Sequence, residues 1–308
     1  MAGKLMTVFG GTGFLGRHVV RAGLAAGWDV RIAARAPRPE SVDVDPVKVE
    51  RFAVDIRNPE AVAAAVHGAT AVVNAVSLYV ENRHSSFESI HVLGAGHVAR
   101  AASRVSARLI HVSGIGVDHR LRSSYIRARA LGEERVRDVY PDSVILRPSA
   151  LFGSGDALLS TMTGLVERLP VIPLFGTGDS RIQPAAVNDV SRAVLAALAR
   201  PDARAGTYEL GGPVVYTYRQ LFEGIAARLE RRRWFIPVPY LLWNLAAVVA
   251  SPLKAPPVTR DQIELVRRDN VVTGDRTFQS LGMGSGCLTN ILDVVSYEGG
   301  GCQPRRGP

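Results

Sequence analysis

Seven residues near the start, Gly10-Gly11-Thr12-Gly13-Phe14-Leu15-Gly16, constrain the fold of this chain more than any other segment. They follow an apolar run of strand length, about Met6 to Phe9, and open a helix-length run from about Phe14 to Ala26, which Gly27 ends. Glycine at 10, 13 and 16 spells Gly-x-x-Gly-x-x-Gly, and the set 11, 13 and 16 also spells Gly-x-Gly-x-x-Gly. Three demands select glycine in such a turn: a sharp change of direction, approach of backbone to a pyrophosphate, and close packing of helix on strand. The helix then offers N–H groups without intrahelical partners and the positive end of its dipole, which suit an anion. A bare glycine motif is weak evidence. In the first strand–helix unit of an alternating chain it predicts a dinucleotide site, with Gly10, Thr12, Gly13, Phe14, Leu15 and Gly16 around the phosphates. The alternative is a tight turn that holds no nucleotide.

The rest of the first half keeps the alternation. Strands are expected at Val30–Ala34, Val49–Val54, Ala71–Val76, Arg108–Ser113 and Ser143–Arg147. Helices are expected from Asn58-Pro59-Glu60 to His67, from Ser86 to Val105 and from Tyr125 to Val139. Asn58 reads as an N-cap with Pro at the first helical position and an acid in the first turn. This pattern predicts an α/β fold, a Rossmann-like doubly wound parallel sheet. After Pro148 proline and glycine become denser and strands shorten, so a smaller C-terminal α/β lobe is expected, interleaved with the end of the sheet. The expected boundaries are a nucleotide-binding domain over 1–150, the smaller lobe over 151–283 and a flexible tail over 284–308. Within that tail Leu288, Ile291 and Leu292 are spaced for one last amphipathic turn.

The end of the second strand selects the nucleotide. An acid there binds the ribose hydroxyls and repels a 2′-phosphate. This chain has Ile32-Ala33-Ala34-Arg35, with Arg38 close behind, and no acid. A guanidinium holds a phosphate through paired hydrogen bonds, so Arg35 points to NADP(H), with NAD(H) as the alternative. Asp55 is placed to accept a hydrogen bond from the adenine amino group, with Ile56 against the ring, or to cap the turn before the next helix. Asn74-Ala75-Val76 ends the fourth strand beside the expected ribose and nicotinamide, where a small residue at 75 allows close approach.

Composition excludes other classes. The 308 residues carry a net charge of +9, but only Lys4, Lys48 and Lys254 are lysines, so the basic bias is an arginine bias spread over the chain. The densest run, Arg231-Arg232-Arg233, reads as a solvated helix end without a nucleic-acid module around it, and no nucleic acid is expected as a partner. Cys287 and Cys302 make no disulfide framework, and no histidine has ligand spacing, so no metal site is expected. A first strand that starts by Leu5 leaves no room for a signal or transit peptide. The longest apolar run, Tyr240 to Ala250, is too short to span a bilayer, which takes about 20 residues. A cytoplasmic setting is expected, with attachment at the face of the inner membrane as an extension of it.

Together the glycine turn, Asp55-Ile56, His111-Val112-Ser113-Gly114, the Tyr125 region, Leu146-Arg147-Pro148-Ser149 and Phe152-Gly153 resemble the short-chain dehydrogenase/reductase superfamily in its extended or atypical branches. The segments Arg181–Val190, Thr207–Pro213, Thr259–Leu265 and Arg267–Val272 resemble bacterial relatives of the NADPH-binding accessory subunit of respiratory complex I. In that subgroup the fold holds a nucleotide mainly as a structural element. In active members of the superfamily a Tyr-x-x-x-Lys pair shares one helix face: the Tyr is general acid or base, the cation lowers its pKa and binds the nicotinamide ribose, and a Ser at the preceding strand end orients the substrate.

By that resemblance Tyr125, Arg129 and Ser113 are the catalytic candidates. Arg129 stands where Lys is usual, keeping the charge but not the shape. Gly114 stands where a second Ser often helps, and His91 near where many relatives carry a helix Asn. The departures fall at the chemistry and none falls at the phosphate turn. The resemblance therefore implies a nucleotide-binding accessory or assembly protein, docking through its C-terminal lobe on a respiratory complex or a membrane surface. The alternative is an active NADP-dependent oxidoreductase or epimerase that uses Tyr125 as acid/base.

Overall fold

The computed structural model describes residues 4–38, 42, 48–200, 202–203, 205–250 and 260–295. The chain forms two compact units. The first comprises Met1–Pro148, Val187–Leu210 and Gly274–Ser285, and the second Ser149–Ala186, Gly211–Thr273 and Gly286–Pro308.

The first unit is a strand–helix alternation. Its elements are β1 (Leu5–Phe9), α1 (Phe14–Ala25), β2 (Asp29–Ala34), β3 (Val49–Ala53), α2 (Pro59–Val66), β4 (Ala71–Asn74), α3 (Ala95–Arg104), β5 (Arg108–Val112), α4 (Ser124–Val139) and β6 (Val144–Pro148). Later parts of the chain return to it as α6 (Val187–Ala199) and β11 (Thr207–Leu210). The sheet has seven strands in the order β11-β6-β5-β4-β1-β2-β3, every pair parallel. Its strands read as continuous apolar runs because helices cover both faces; Met6, Val8, Phe9, Val72 and Val73 are fully buried. The order of strands reverses between β1 and β4, so the turn after β1 opens at a topological switch point, beyond the carboxyl ends of the strands.

Local signals account for the helix starts. Asn58 accepts from the N–H groups of Glu60 and Ala61 at 3.0 and 3.1 Å, and Pro59 fills the first helical position of α2. Ser123 accepts from the N–H of Ile126 at the start of α4. The single long helix expected over Ser86–Val105 is instead a π-helical segment, Glu88–Gly94, running into α3.

The second unit contains β7 (Leu151–Phe152), α5 (Leu158–Arg168), β8 (Val171–Phe175), β9 (Arg181–Ile182), β10 (Ala185–Ala186), β12 (Tyr216–Thr217), α7 (Tyr218–Arg228), β13 (Trp234–Val238), α8 (Tyr240–Ala250) and α9 (Arg260–Arg267). Its core gathers Phe152, Leu159, Ile172, Leu174, Leu221 and Ile225. The boundary expected at residue 150 falls at Pro148, and 187–210 and 274–283, expected in the smaller lobe, belong with 284–285 to the sheet unit. The reason is pairing: β11 hydrogen-bonds to β6 and completes the sheet. Of the expected tail, Ser285–Cys287 and Ile291–Val294 are 3₁₀ turns, and Ile291 is buried with Leu292 packed beside it. Residues 296–308 of that tail, Cys302 included, lie outside the described residues.

Candidate dinucleotide site and the Tyr125 cluster

The glycine turn has the geometry its sequence calls for. Gly10 adopts φ +73° and bonds through its N–H to the carbonyl of Ala33, and its own carbonyl accepts from Gly13 at 2.9 Å. A Cβ on Gly16 would stand 2.0 Å from the Gly10 oxygen, so helix and turn meet at a distance only glycine permits. No side chain caps α1 and no acid stands in its first turn. The first N–H groups of the helix, from Phe14 to Gly16, are therefore offered to an outside acceptor. Gly13 is exposed, Thr12 and Phe14 are half-buried, and the Leu15 side chain is sunk into the core. This cradle, which a single methyl would fill, fits the pyrophosphate of a dinucleotide.

Around it the expected contacts divide. Arg35 and Arg38 are exposed just past β2, and the residues that end that strand include no acid. Asp55, past β3, lies in the field of Arg35 but is already engaged by Arg57, a residue that no motif in the sequence singles out. Its Oδ1 accepts from the backbone N–H and Nε of Arg57, both at 2.9 Å, and its Oδ2 from Nη2 at 2.5 Å. These hydrogen bonds hold the carboxyl down at about 2. An adenine amino group would share this carboxylate with Arg57. Through the N–H of Arg57, Asp55 also closes the turn before α2, while Asn58 caps the helix itself. Ile56 is 5% exposed and packs against Gly94. Asn74 is likewise turned inward: its amide meets Nδ1 of His111 at 3.2 Å and accepts from the N–H of Val76. Ala75 and Val76 are half-buried, and the Ala75 carbonyl stands where a Cβ on Gly10 would touch it at 2.9 Å.

Tyr125 and Arg129, one turn apart in α4, share a face as their spacing predicts. The guanidinium Nη1 donates to the Tyr125 hydroxyl at 3.1 Å and to the Ser77 hydroxyl at 3.0 Å. Both residues are buried. The Tyr125 ring is boxed by three others: Tyr79 stacks on it at 5.7 Å, Phe87 meets it edge-on at 5.5 Å, and His91 edge-on at 5.7 Å. A Cβ on Gly114 would lie 3.7 Å from Nη2 of Arg129, an ordinary contact distance, so Arg129 does not by itself require glycine there. Burial, helped by the charge of Arg129, drives His91 down to about 3, and its Nε2 meets the backbone of Leu78. Burial also holds His111 down at about 4. Both rings are neutral near pH 7.

Ser113 is not joined to this pair. It is 3% exposed, and its hydroxyl stands beside the carboxylate of Glu133, helping to lower that carboxyl, without a hydrogen bond of good geometry. Glu133, a further turn along the same face of α4, accepts from Arg147 at 2.9 and 2.7 Å and from Arg137 at 3.0 Å. The serine that Arg129 does hold is Ser77. Neither it nor Tyr79 and Phe87 stands in a motif; their one signal is position, since Ser77-Leu78-Tyr79 leaves the strand that borders the switch point.

An all-parallel sheet of this order, a glycine cradle at its switch point and a Tyr–cation pair on the helix after β5 define a Rossmann-type protein of the short-chain dehydrogenase/reductase kind. Residues 6–211 match the NAD dependent epimerase/dehydratase family, and the chain belongs to it. It is 31% identical over 98% of its length to NADH dehydrogenase (ubiquinone) 1 alpha subcomplex subunit 9, mitochondrial, of Arabidopsis thaliana, covering 80% of that protein. It is 29% identical to a ceramide reductase of Caulobacter vibrioides, covering 76% of this chain and 74% of the reductase. In fold it is similar to Thermus thermophilus UDP-glucose 4-epimerase in complex with NAD, with a TM-score of 0.62, 19% identity, and 85% and 99% of the two chains covered.

Proposed function

We propose that this chain is a nucleotide-holding accessory or assembly protein: it binds NADP(H) as part of its fold and engages a larger respiratory assembly, the kind named for its Arabidopsis relative. The observation that carries the reading is the cradle at Gly10 and Gly16, kept to the last methyl, while the catalytic positions depart from the enzyme pattern. The Tyr125 hydroxyl is tied to a guanidinium and its ring is stacked on by Tyr79, and Ser113 is turned to Glu133. Cytoplasmic residence, peripheral to the inner membrane, follows from the same reading. The preference for NADP(H) over NAD(H) rests on Arg35, with Arg38 beside it and no acid at the end of β2.

Nucleotide extracted from the purified chain and identified by mass spectrometry tests the first claim. NADP(H) close to one per chain is expected; protein that neither carries nor takes up an adenine dinucleotide sinks it. Arg35→Asp should weaken NADPH binding relative to NADH by about tenfold or more, the loss of a charge-assisted phosphate contact. An unchanged ratio in titration calorimetry removes Arg35 from the argument.

One observation favours a second reading, an active NADP-dependent oxidoreductase or epimerase. Arg129 is a buried cation whose hydrogen bonds go to two hydroxyls, not to a carboxylate, and one of them is on the residue that would act as acid or base. When bound, the nicotinamide would supply or accept hydride. Tyr125 would pass a proton at the substrate oxygen, Arg129 would hold the Tyr hydroxyl, and Ser77 would stand nearer that work than Ser113. Arg129→Lys separates the readings: no gain in NADPH oxidation over a panel of carbonyl compounds accords with the accessory role, and a rise of about tenfold or more marks a near-intact enzyme.

A further inference from the structure

We infer that the second unit docks on an anionic lipid surface through α8 and the outer face of the β8–β13 pair. The inference rests on the peripheral residence proposed above, for which it names the surface and the lipid class, and it does not depend on the nucleotide. Its starting point is a helix that is apolar all round. Tyr240-Leu-Leu-Trp-Asn-Leu-Ala-Ala-Val-Val-Ala carries one amide and no charge. Among the described residues one stripe of α8 is used inside the unit. Trp243 donates from Nε1 to the Leu174 carbonyl at 3.2 Å and lies 4.2 Å from the Phe175 ring, and Ala247 is buried beside Ile263. The other faces are open to solvent: Leu241 is 78% exposed and Val249 73%, and Leu242, Leu245 and Val248 are exposed as well.

The strand that leads into α8 repeats the feature. β13 pairs in parallel with β8, Trp234 opposite Val171 and Ile236 opposite Pro173. The alternate residues Ile172, Leu174 and Phe235 turn into the core. The four residues of the outer face are exposed and apolar, with Trp234 77% exposed. A helix apolar on every side is normally buried in protein or in lipid. Eleven residues are too few to cross a bilayer, and no described helix is long and apolar enough to do so. Too short to span and seated on its own unit by one stripe, α8 would lie in the interface with its open faces among the acyl chains.

Charge chooses the occupant. From residue 228 to 268 the chain has eight Lys and Arg against three Asp and Glu. Exposed Arg231 and Arg232 precede β13 and exposed Arg168 precedes β8, so the parallel pairing puts them at the same end of the pair, and the Arg233 guanidinium donates to the carbonyls of Val166 and Glu167. At the other end Arg267 lies over the Tyr240 ring, 5.4 Å from its centroid. An apolar face rimmed by arginine complements acidic headgroups over acyl chains. A twofold contact with a second copy would set these like charges against each other.

The test is co-sedimentation of the full chain with vesicles of phosphatidylcholine alone and of a 3:1 mixture with phosphatidylglycerol, bound nucleotide being measured in the same samples. Binding to the acidic vesicles should exceed binding to the neutral ones by about tenfold or more, and should fall as salt is raised. The triple variant Leu241→Glu, Leu245→Glu, Val249→Glu should lose it, with its nucleotide content and circular dichroism unchanged. Should that variant misfold, Arg231→Gln with Arg232→Gln, which leaves the apolar face intact, should still weaken acidic-vesicle binding by about tenfold. Wild-type protein left in the supernatant with acidic vesicles overturns the inference. Equal binding to both vesicles overturns it too. A dimer in light scattering that the triple variant abolishes, without vesicle binding, assigns the face to a second copy instead. Loss of nucleotide with vesicle binding kept would strike the proposed function and leave this inference standing.

Discussion

Gly16 is the position at which the glycine turn is least forgiving. A Cβ there would meet not a pliable side chain but the Gly10 carbonyl, at 2.0 Å, and the Cα of Gly11 at 2.8 Å. Backbone must move, so Gly16→Ala should destabilise the fold by about 1–3 kcal/mol and displace the amides of α1 from their acceptor. The expected outcome is a lower denaturant midpoint and at least about tenfold weaker dinucleotide binding; a variant with wild-type affinity would remove the cradle from the site. This much is legible in the amino acids themselves, because the motif is local: seven consecutive residues specify turn, approach and packing together. Tyr125 and Arg129 are legible for the same reason, four residues apart on one helix. Ser113 is not. Whether a residue at a strand end faces a ligand or a buried carboxylate depends on which side of the sheet it points to, and a shift of one residue reverses that.

The π-helical segment Glu88–Gly94 and α4 show what a linear pattern conceals. The apolar spacing over Ser86–Val105 suits one regular helix, but its first part is wound wider, and π segments of this kind are often found at functional sites. The segment packs on α4 so tightly that a Cβ on Gly132 would lie 2.0 Å from the His91 carbonyl. It carries His91 to the Tyr125 ring, and this histidine makes the element sensitive to acid. Held at about 3 in the folded chain against an ordinary 6.5, the ring binds its proton more readily once unfolded. His111, held at about 4, behaves alike. Stability should therefore be complete above about pH 6.5 and fall as pH drops below it, by up to about 1.4 kcal/mol per pH unit for each ring, until the folded values are reached. His91→Asn should flatten that slope in urea titrations between about pH 6.5 and pH 4.5. The depressed carboxyls of Asp55 and Glu133 act only at lower pH, near and below the ordinary carboxylate range. An unaltered slope would mean that the buried ring is not what acid attacks.

For the whole molecule, a ligand that binds only the folded first unit must stabilise it. At a thousandfold excess over its Kd a nucleotide adds about 4 kcal/mol. Saturating NADPH should therefore raise the melting temperature by several degrees, and Gly16→Ala should abolish the rise; a melting curve indifferent to nucleotide would contradict a structural role for it. The parallel sheet, the switch-point turn, the arginine at the end of β2 and the paired Tyr and Arg can be read from the amino acids alone, since each rests on periodicity or on spacing within one or two turns of chain. Which segments complete the sheet, which rings box Tyr125, what Asp55, Ile56 and Asn74 hold, and which apolar stretch is exposed among the described residues are settled by folding. These depend on contacts between residues far apart in sequence: β11 meets β6 some 60 residues away, and Ser77 meets Arg129 across 52. Local pattern says which side chains prefer burial. It does not say which partners will be there to meet them, because the choice is made when the whole chain closes and competing contacts are resolved at once.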